Sequence, residues 1–575
     1  MAYGKLIAVA VGSLVLFTSA PAAGETKGPA LLPFVQQMAI IRLSDGTLMG
    51  NFIRTRDGVP EVAARYSKDN GLGWSNPETL LKLRKEGGGW AGPMALLDHQ
   101  AEVHLFFLKW EDAKGQVDES REGILCGYLG GYGGKRLDIW HAKSKSGRKD
   151  WQPPKRIWKG YTGSMNSVIQ MANGRIVFPF AQLMPPRAFG SGCDDLAAFT
   201  FTGPFQSTAV YSDDQGETWR LSPSSLSVEV PSIVHGYGAD EPVVLQLKDG
   251  RVWMLMRTQR GRLYESFSAD GATWSPARPT RLIASDSPVG LVRVDDGRII
   301  LFWNCCQRFP YAFGGRHVLH AAISDDEGKT WRGCREVARD PKRNEPPPVD
   351  IDFGTAYPFP TAASAGKIIY YTGQGEGRVL LTLLDPQWLL ETSQKADFSA
   401  AKEAWSVFGT KGVEFVAHPE NGQAKVLRMR KTHSDWPACA VWNFPAGLRG
   451  CLRMRLMLNP GFGGALVGIT DHFSTPFDME DRFYSLFNLD IASDGRILKE
   501  TAGAQPVLSS GRWHDLALTW DCGKRDCRVM LDGRDVGTLP LLRETLGACY
   551  LRLRSTAEQT DNAGFLVESA EADVQ

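Results

Sequence analysis

The sequence predicts an all-β chain, with a six-bladed β-propeller over its first two thirds and a second β module after it. Three observations lead there. The 575 residues include 61 Gly, 33 Pro and 17 Trp, a composition suited to many tight turns between half-buried strands. A short Ser-Asp-Gly-Trp motif recurs along the chain, the mark of a repeat architecture. Helical periodicity is nearly absent, while short apolar runs bounded by turn residues are frequent.

The repeat comes first. Ser212-Asp213-Asp214-Gln215-Gly216-Glu217-Thr218-Trp219 and Ser324-Asp325-Asp326-Glu327-Gly328-Lys329-Thr330-Trp331 share one pattern, S-x-D-x-G-x-T-W. Ser67-Lys68-Asp69-Asn70-Gly71-Leu72-Gly73-Trp74 departs from it only at the Thr. Ser268-Ala269-Asp270-Gly271-Ala272-Thr273-Trp274 is one residue shorter, and 144–151 is a degenerate copy. Such a box is a self-contained hairpin turn. The Asp accepts bonds from its own backbone N–H groups, and Gly supplies the positive φ. These residues are therefore structural.

A second signal is interleaved with the boxes. Asp45-Gly46-Thr47, Asn173-Gly174-Arg175, Asp249-Gly250-Arg251, Asp296-Gly297-Arg298 and Ala365-Gly366-Lys367 each open an apolar strand. The strand at 103–109 follows a turn at Asp98-His99. These six openings predict six blades of roughly 45–75 residues across residues 30–392.

The N-terminus reads as an export signal. Lys5 precedes an apolar run over 6–17, and small residues from Ser19 to Ala23 follow. The run is too short to cross about 30 Å of hydrocarbon as a helix, so residues 1–23 are expected to be a cleaved leader and the protein secreted or periplasmic. The ten cysteines fit that setting. Cys522 and Cys527 flank a predicted turn and are candidates for a local disulfide. Cys305, Cys306, His317 and His320 suggest a metal only weakly, because odd spacing on a strand sends the two His to opposite faces. No metal and no cofactor are expected.

Lys and Arg total 65 against 64 for Asp and Glu, which argues against a nucleic-acid surface. No further stretch is long and apolar enough to span a membrane.

From about Ser399 the boxes stop. Strands are expected at 425–429, 451–457, 465–469 and 483–489. Trp513-His514 then opens another strand, followed by Leu531-Asp532-Gly533. This pattern resembles laminin-G and concanavalin-like jelly rolls, which implies a β-sandwich over 399–575 that binds carbohydrate or serves as a scaffold.

The boxes themselves resemble the Asp-boxes of the sialidase (neuraminidase) superfamily. That resemblance implies a site. Asp240-Glu241-Pro242 and, beyond it, Met254-Leu255-Met256-Arg257 are similar to the family's Glu and carboxylate-binding Arg. Gly315-Arg316-His317, just before a box, matches the place of another such Arg. Tyr357-Pro358 precedes the last blade as the family's nucleophilic Tyr does, and Asp57 stands where the family keeps its catalytic acid, with Glu61 as fallback. The chemistry suits the residue types. A sialic acid carries its carboxylate on the carbon attacked, so a neutral Tyr approaches it where a carboxylate would be repelled. Tyr needs a base, Glu241, to take its proton. Arg257 and Arg316 would hold the substrate acid by paired, charge-assisted bonds.

One departure stands out. The family's first Arg precedes the first strand, where this chain reads Phe34-Val35-Gln36-Gln37-Met38. Arg54 or Arg56 would have to substitute, and Gln37 would suit a hydroxyl or amide. The resemblance thus implies a retaining exo-glycosidase for a terminal acidic sugar, sialic acid or a relative such as a uronic acid, with a glycan or polysaccharide as its partner. The alternatives are a glycan-binding protein without hydrolysis, and a lyase or different glycosidase on the same fold using Tyr357 or His235 as base. Ser164 and Asn166 read as a polar loop. The glycine-rich 371–377 lacks a phosphate-loop Lys and a βαβ setting, so no nucleotide site is expected.

Overall fold

A computed structural model describes residues 28–34, 36–113, 125–145, 150–185, 200–202, 204–231, 237–306, 315–345, 353–375, 377–396, 398–399, 401–407, 411–497 and 506–575. The leader expected at 1–23 and His235 lie outside these residues. Among the described residues, regular structure is almost entirely antiparallel strand, with one short α-helix, Ala401–Ala404, and a few 3-10 turns.

The first two thirds form a propeller-like succession of sheets. Ala39–Arg42, Leu48–Arg56, Val59–Ser67 and Glu78–Lys82 make the first, paired in chain order. Trp90–Leu97, Val103–Asp112, Lys135–Lys145 and Lys155–Trp158 make the second, with Asp150–Trp151 added to its third strand. Ile169–Gln170, Ile176–Leu183, Phe205–Ser212 and Arg220–Leu221 make the third. Asp240–Gln246, Val252–Arg257, Arg262–Ser268 and Arg278–Ile283 make the fourth. Phe359–Ala362, Ile368–Thr372 and Leu380–Leu384 form another, whose free edge is filled by the N-terminal strand Ala30–Leu31. That borrowed strand ties the two ends of this region together.

The strands Gly290–Arg293, Ile299–Trp303, Val318–Ser324 and Arg332–Arg339 also pair in order, but they do not stand alone. Gly333 pairs with Ala446, and the sheet runs on into the C-terminal third. Where the sequence leads one to expect six independent blades, five sheets of four or more strands are separate and this set is continuous with the next module. The cause is local. Asn443 donates to the carbonyls of both Cys334 and Cys549, so its strand is held between the two modules.

Each core lies between neighbouring sheets. Val62, Leu105 and Phe107 fill one, Phe106, Phe178 and Phe180 the next, and Ile300, Phe302 and Tyr370 another. Leu32, Ile40, Leu48 and Ile369 pack the last sheet against the first. The boxes make these contacts close. In the box at Ser324, the Ser hydroxyl donates to Asp326 at 2.9 Å and accepts from Gly328 N–H, while Asp326 accepts from Thr330 N–H at 2.8 Å. Trp219 Nε1 returns to the Gly216 carbonyl at 3.2 Å in the same way. The box glycines dock on the preceding sheet: a Cβ at Gly216 would meet His141 at 2.8 Å, and one at Gly71 would meet Ile369 at 2.5 Å. At Gly216 the φ of 82° also requires glycine.

The C-terminal third contains two sheets facing one core. Trp405, Trp442, Phe444 and Leu551 come from one, and Leu452, Leu518, Trp520 and Val567 from the other. The expected strands are present as Lys425–Lys431, Arg449–Leu458 and Ala465–Thr470. The one expected at 483–489 is shifted: Asp481–Phe483 is a 3-10 turn, and the strand runs Phe487–Ile491. Cys522 and Cys527 are both free thiols. Cys527 stands opposite Trp520, while Cys522 lies beyond the last strand residue, Asp521. The expected local bridge is therefore not made.

His104 and His141 stack in the second sheet, with ring nitrogens 2.9 Å apart, and Asp98 lies 3.2 Å from His104. Burial lowers the pKa of both imidazoles, His141 more strongly. The unfolded chain binds protons at these groups first, below about pH 6.5, so stability is full above that pH and falls as the pH drops toward the folded-state values. The melting temperature is expected to fall between pH 7 and pH 5, and His141→Gln to flatten that slope. An unchanged slope in the variant would remove this pair as its cause.

Candidate active site

The residues with chemistry gather at one end of the ring, where inner strands begin and second strands end. Glu241 lies at the start of its inner strand, Arg257 at the end of the next strand, and Tyr357 just ahead of Phe359–Ala362. Glu241 and Tyr357 both precede a proline, which restricts their backbones. Both hold positive φ, 43° and 59°. A non-glycine residue in that region is strained, and such strain is kept only where surrounding contacts enforce it.

Those contacts are specific. The Tyr357 hydroxyl donates to Glu241 Oε1 at 2.7 Å. Arg257 Nη1 donates to Glu241 Oε2 at 2.6 Å and lies 3.4 Å from the Tyr357 hydroxyl. Arg257 Nε donates to Asp286 Oδ1 at 2.5 Å. Side-chain exposure is 6% for Arg257, 5% for Glu241 and 3% for Asp286, so the ion pairs are dry. Arg316 donates from Nη2 to the Asp286 carbonyl at 2.9 Å and from Nη1 to Gln374 at 3.0 Å. Its guanidinium carbon stands 5.7 Å from the centre of the Tyr357 ring.

Electrostatics follows from this packing. Burial raises the Tyr357 phenol well above its usual value, and Glu241 raises it further; Arg257 and Arg316 pull it back in part. Burial alone would discharge Arg257, but Asp286 and Glu241 outweigh it and lift the guanidinium well above its ordinary range. Burial, then Glu241, pushes the Asp240 carboxyl up. At neutral pH the cluster therefore holds a charged Arg257 and a neutral phenol.

Four of the residues named from the sequence, Glu241, Arg257, Arg316 and Tyr357, form this cluster. Asp57, Arg54 and Gln37 have other surroundings. Asp57 is at the tip of the Leu48–Arg56/Val59–Ser67 hairpin, 94% exposed, and 3.9 Å from Arg56. Arg54 is engaged with Glu61 at 2.6 Å, and Glu61 also accepts from Thr79. Gln37 is exposed ahead of the first inner strand. Ser164 and Asn166 bond each other in their loop at 3.1 Å. Among the described residues no group of three or more His, Cys, Asp or Glu side chains is arranged to hold a metal ion. His320 is instead hydrogen-bonded to Cys305 N–H and Tyr550, and burial lowers its pKa to about 4.

Sequence reasoning missed Asp286 and Gln259. Gln259 Nε2 donates to Asp286 Oδ1 at 2.6 Å, while its Oε1 accepts from Tyr237 and Gly238 N–H. A signal was present: Asp286-Ser287-Pro288 precedes an inner strand much as Asp240-Glu241-Pro242 does.

With this geometry the comparisons can be placed. The family model described as a BNR repeat-like domain matches residues 47–369, more than half of the 575 residues, and the chain belongs to that family. Its relatives include a sialidase of Micromonospora viridifaciens, 28% identical over 320 residues, which cover 50% of this chain and 43% of that protein. The matched stretch thus spans less than half of that relative. Among solved structures, a protein of unknown function from Dyadobacter fermentans is 17% identical and covers 62% of this chain and 96% of its own, with a TM-score of 0.42. A Trypanosoma rangeli sialidase in complex with a difluorinated KDN is 13% identical and covers 94% and 91%, with a TM-score of 0.38.

The dry ion pairs give a stability test. Arg257→Ala leaves Glu241 and Asp286 buried without their cation and should cost about 3–5 kcal/mol in urea unfolding at pH 7. A loss below about 1 kcal/mol, the scale of an exposed ion pair, would contradict the assignment.

Proposed function

We propose that this protein is an exported, retaining exo-glycosidase that removes a terminal acidic sugar, sialic acid or a relative, from glycans. The observation that carries this reading is the 2.7 Å bond from the Tyr357 hydroxyl to Glu241, with Arg257 beside both. In this reading the catalytic ring is six-bladed, with 290–339 as the blade that carries a C-terminal β-sandwich.

Glu241 accepts the phenol proton as Tyr357 oxygen attacks the anomeric carbon. The bond to the leaving oxygen breaks, and an acid protonates that oxygen. Asp57, exposed at its hairpin tip, is the acid this reading assigns. Water then cleaves the glycosyl–tyrosine bond, Asp57 takes the water's proton, and the phenol recovers its own from Glu241. A phenol held neutral avoids the repulsion that a carboxylate nucleophile would meet beside the sugar's own carboxylate. Arg257 and Arg316 orient that carboxylate, and Arg54 and Gln37 belong to the rim on the same side of the first sheet.

A second reading, glycan binding without turnover, is favoured by one feature: no Arg occurs in the stretch Phe34-Val35-Gln36-Gln37-Met38.

Release of methylumbelliferone from α-sialosides and uronides separates the two. The wild type should turn over at least one acidic glycoside. Tyr357→Phe should abolish turnover, and Glu241→Gln should lower kcat by about 10²–10⁴-fold. Binding of acidic sugars without turnover would favour the second reading.

A further inference from the structure

We propose that Asp286 is the positioning residue of the arginine pair, holding Arg257 through its carboxylate and Arg316 through its main-chain carbonyl. The inference rests on the proposed acidic-sugar site and deepens it by naming what sets the spacing of the two guanidinium groups.

The geometry is direct. Asp286 Oδ1 accepts from Arg257 Nε at 2.5 Å and from Gln259 Nε2 at 2.6 Å. The Asp286 carbonyl accepts from Arg316 Nη2 at 2.9 Å and Nε at 3.3 Å. Arg257 ends a strand of one sheet, and Arg316 stands just ahead of a strand of another, 59 residues later in the sequence. Asp286 lies between them in the chain and binds both. Its other carboxylate oxygen, Oδ2, is buried without a hydrogen-bond partner among the described residues. A lone pair left unsatisfied in a dry place is costly, and it persists here beside a charged guanidinium.

The segment carrying Asp286 is itself fixed. Ser285 N–H donates to the Asn304 carbonyl at 3.1 Å, and the Ser287 hydroxyl donates to Asn304 Oδ1 at 2.7 Å. Asn304 Nδ2 in turn reaches the Val318 carbonyl and the Thr355 hydroxyl. Thr355 donates from both N–H and hydroxyl to the Arg316 carbonyl. On the other side, Gln259 is oriented by the N–H groups of Tyr237 and Gly238. A ligand-binding group is precise only when its supporting residues are locked in this way. Asp286 is not placed to touch substrate; it acts through the arginines.

The two kinds of contact separate under mutation. Asp286→Ala removes the bond to Arg257 and keeps the carbonyl that holds Arg316. Asp286→Asn keeps an acceptor of the same shape without its charge. Losing a hydrogen bond to a charged group corresponds to about 10- to 150-fold in an equilibrium constant, so KM for an acidic glycoside should rise by about that factor in Asp286→Ala. kcat should change much less. Asp286→Asn should fall between the two.

The test is steady-state kinetics of the full chain on methylumbelliferyl sialoside and uronide, with calorimetric binding of DANA, the unsaturated sialic acid analogue, and urea unfolding of each variant. A rise in KM and in the DANA dissociation constant, graded Ala above Asn above wild type in variants that remain folded, supports the proposal. KM and DANA affinity within twofold of wild type in folded Asp286→Ala would overturn it while leaving the glycosidase reading intact. A fall in kcat alone would also overturn it. If Asp286→Ala does not fold, the milder Asp286→Asn decides by the same criteria. A wild type that neither binds DANA nor turns over any acidic glycoside refutes the acidic-sugar reading, and the positioning role with it.

Discussion

One buried cation governs the geometry of the site. Arg257 is taken out of water, and a guanidinium in that setting stays charged only with carboxylates against it. Glu241 and Asp286 supply them from opposite sides. Glu241 then has one oxygen committed to Arg257 and the other to the Tyr357 hydroxyl. The phenol is held by a group whose negative charge opposes its ionisation, and it remains a neutral donor aimed at a base. The three side chains come from two sheets, so the arrangement exists only when the sheets are in register around the ring.

What keeps them in register lies at the other end of the strands. Each box follows a third strand, so it turns the chain on the face away from Glu241 and Tyr357. There its Ser and Asp satisfy the backbone of a tight turn, and its glycine docks against the neighbouring sheet. Stabilising devices and reactive groups are thus separated by the length of a strand. The strained backbones at Glu241 and Tyr357 are carried by a scaffold whose box turns satisfy their own backbone hydrogen bonds.

The sequence made the scaffold legible and part of the site. The boxes and the strand openings could be found as repeats, and Glu241, Arg257, Arg316 and Tyr357 through the resemblance of their motifs to those of sialidases. Asp286 shares the Asp-x-Pro pattern of Asp240-Glu241-Pro242, but its role depends on Arg257, which only folding brings near. Asp57 was named through the same resemblance, and it stands exposed at its hairpin tip beside Arg56. The continuity of the sheet at Gly333 and Ala446 was also out of reach, since a single backbone pair between modules leaves no pattern in either.

That continuity bears on the C-terminal module. The Phe473 N–H donates to the Cys305 carbonyl at 2.8 Å, and its ring packs against His317, the residue after Arg316. Phe477 covers the same imidazole from a second direction. Tyr550 bonds Glu336 and His320 across the same junction. A module joined only by a linker would leave the segment before Val318–Ser324 to solvent. Here the backbone that carries Arg316 is backed by aromatic rings from the second module, so the position of one arginine depends on the packing of both. Whatever the second module binds, its contacts with His317 make it part of the wall that holds Arg316 toward Tyr357.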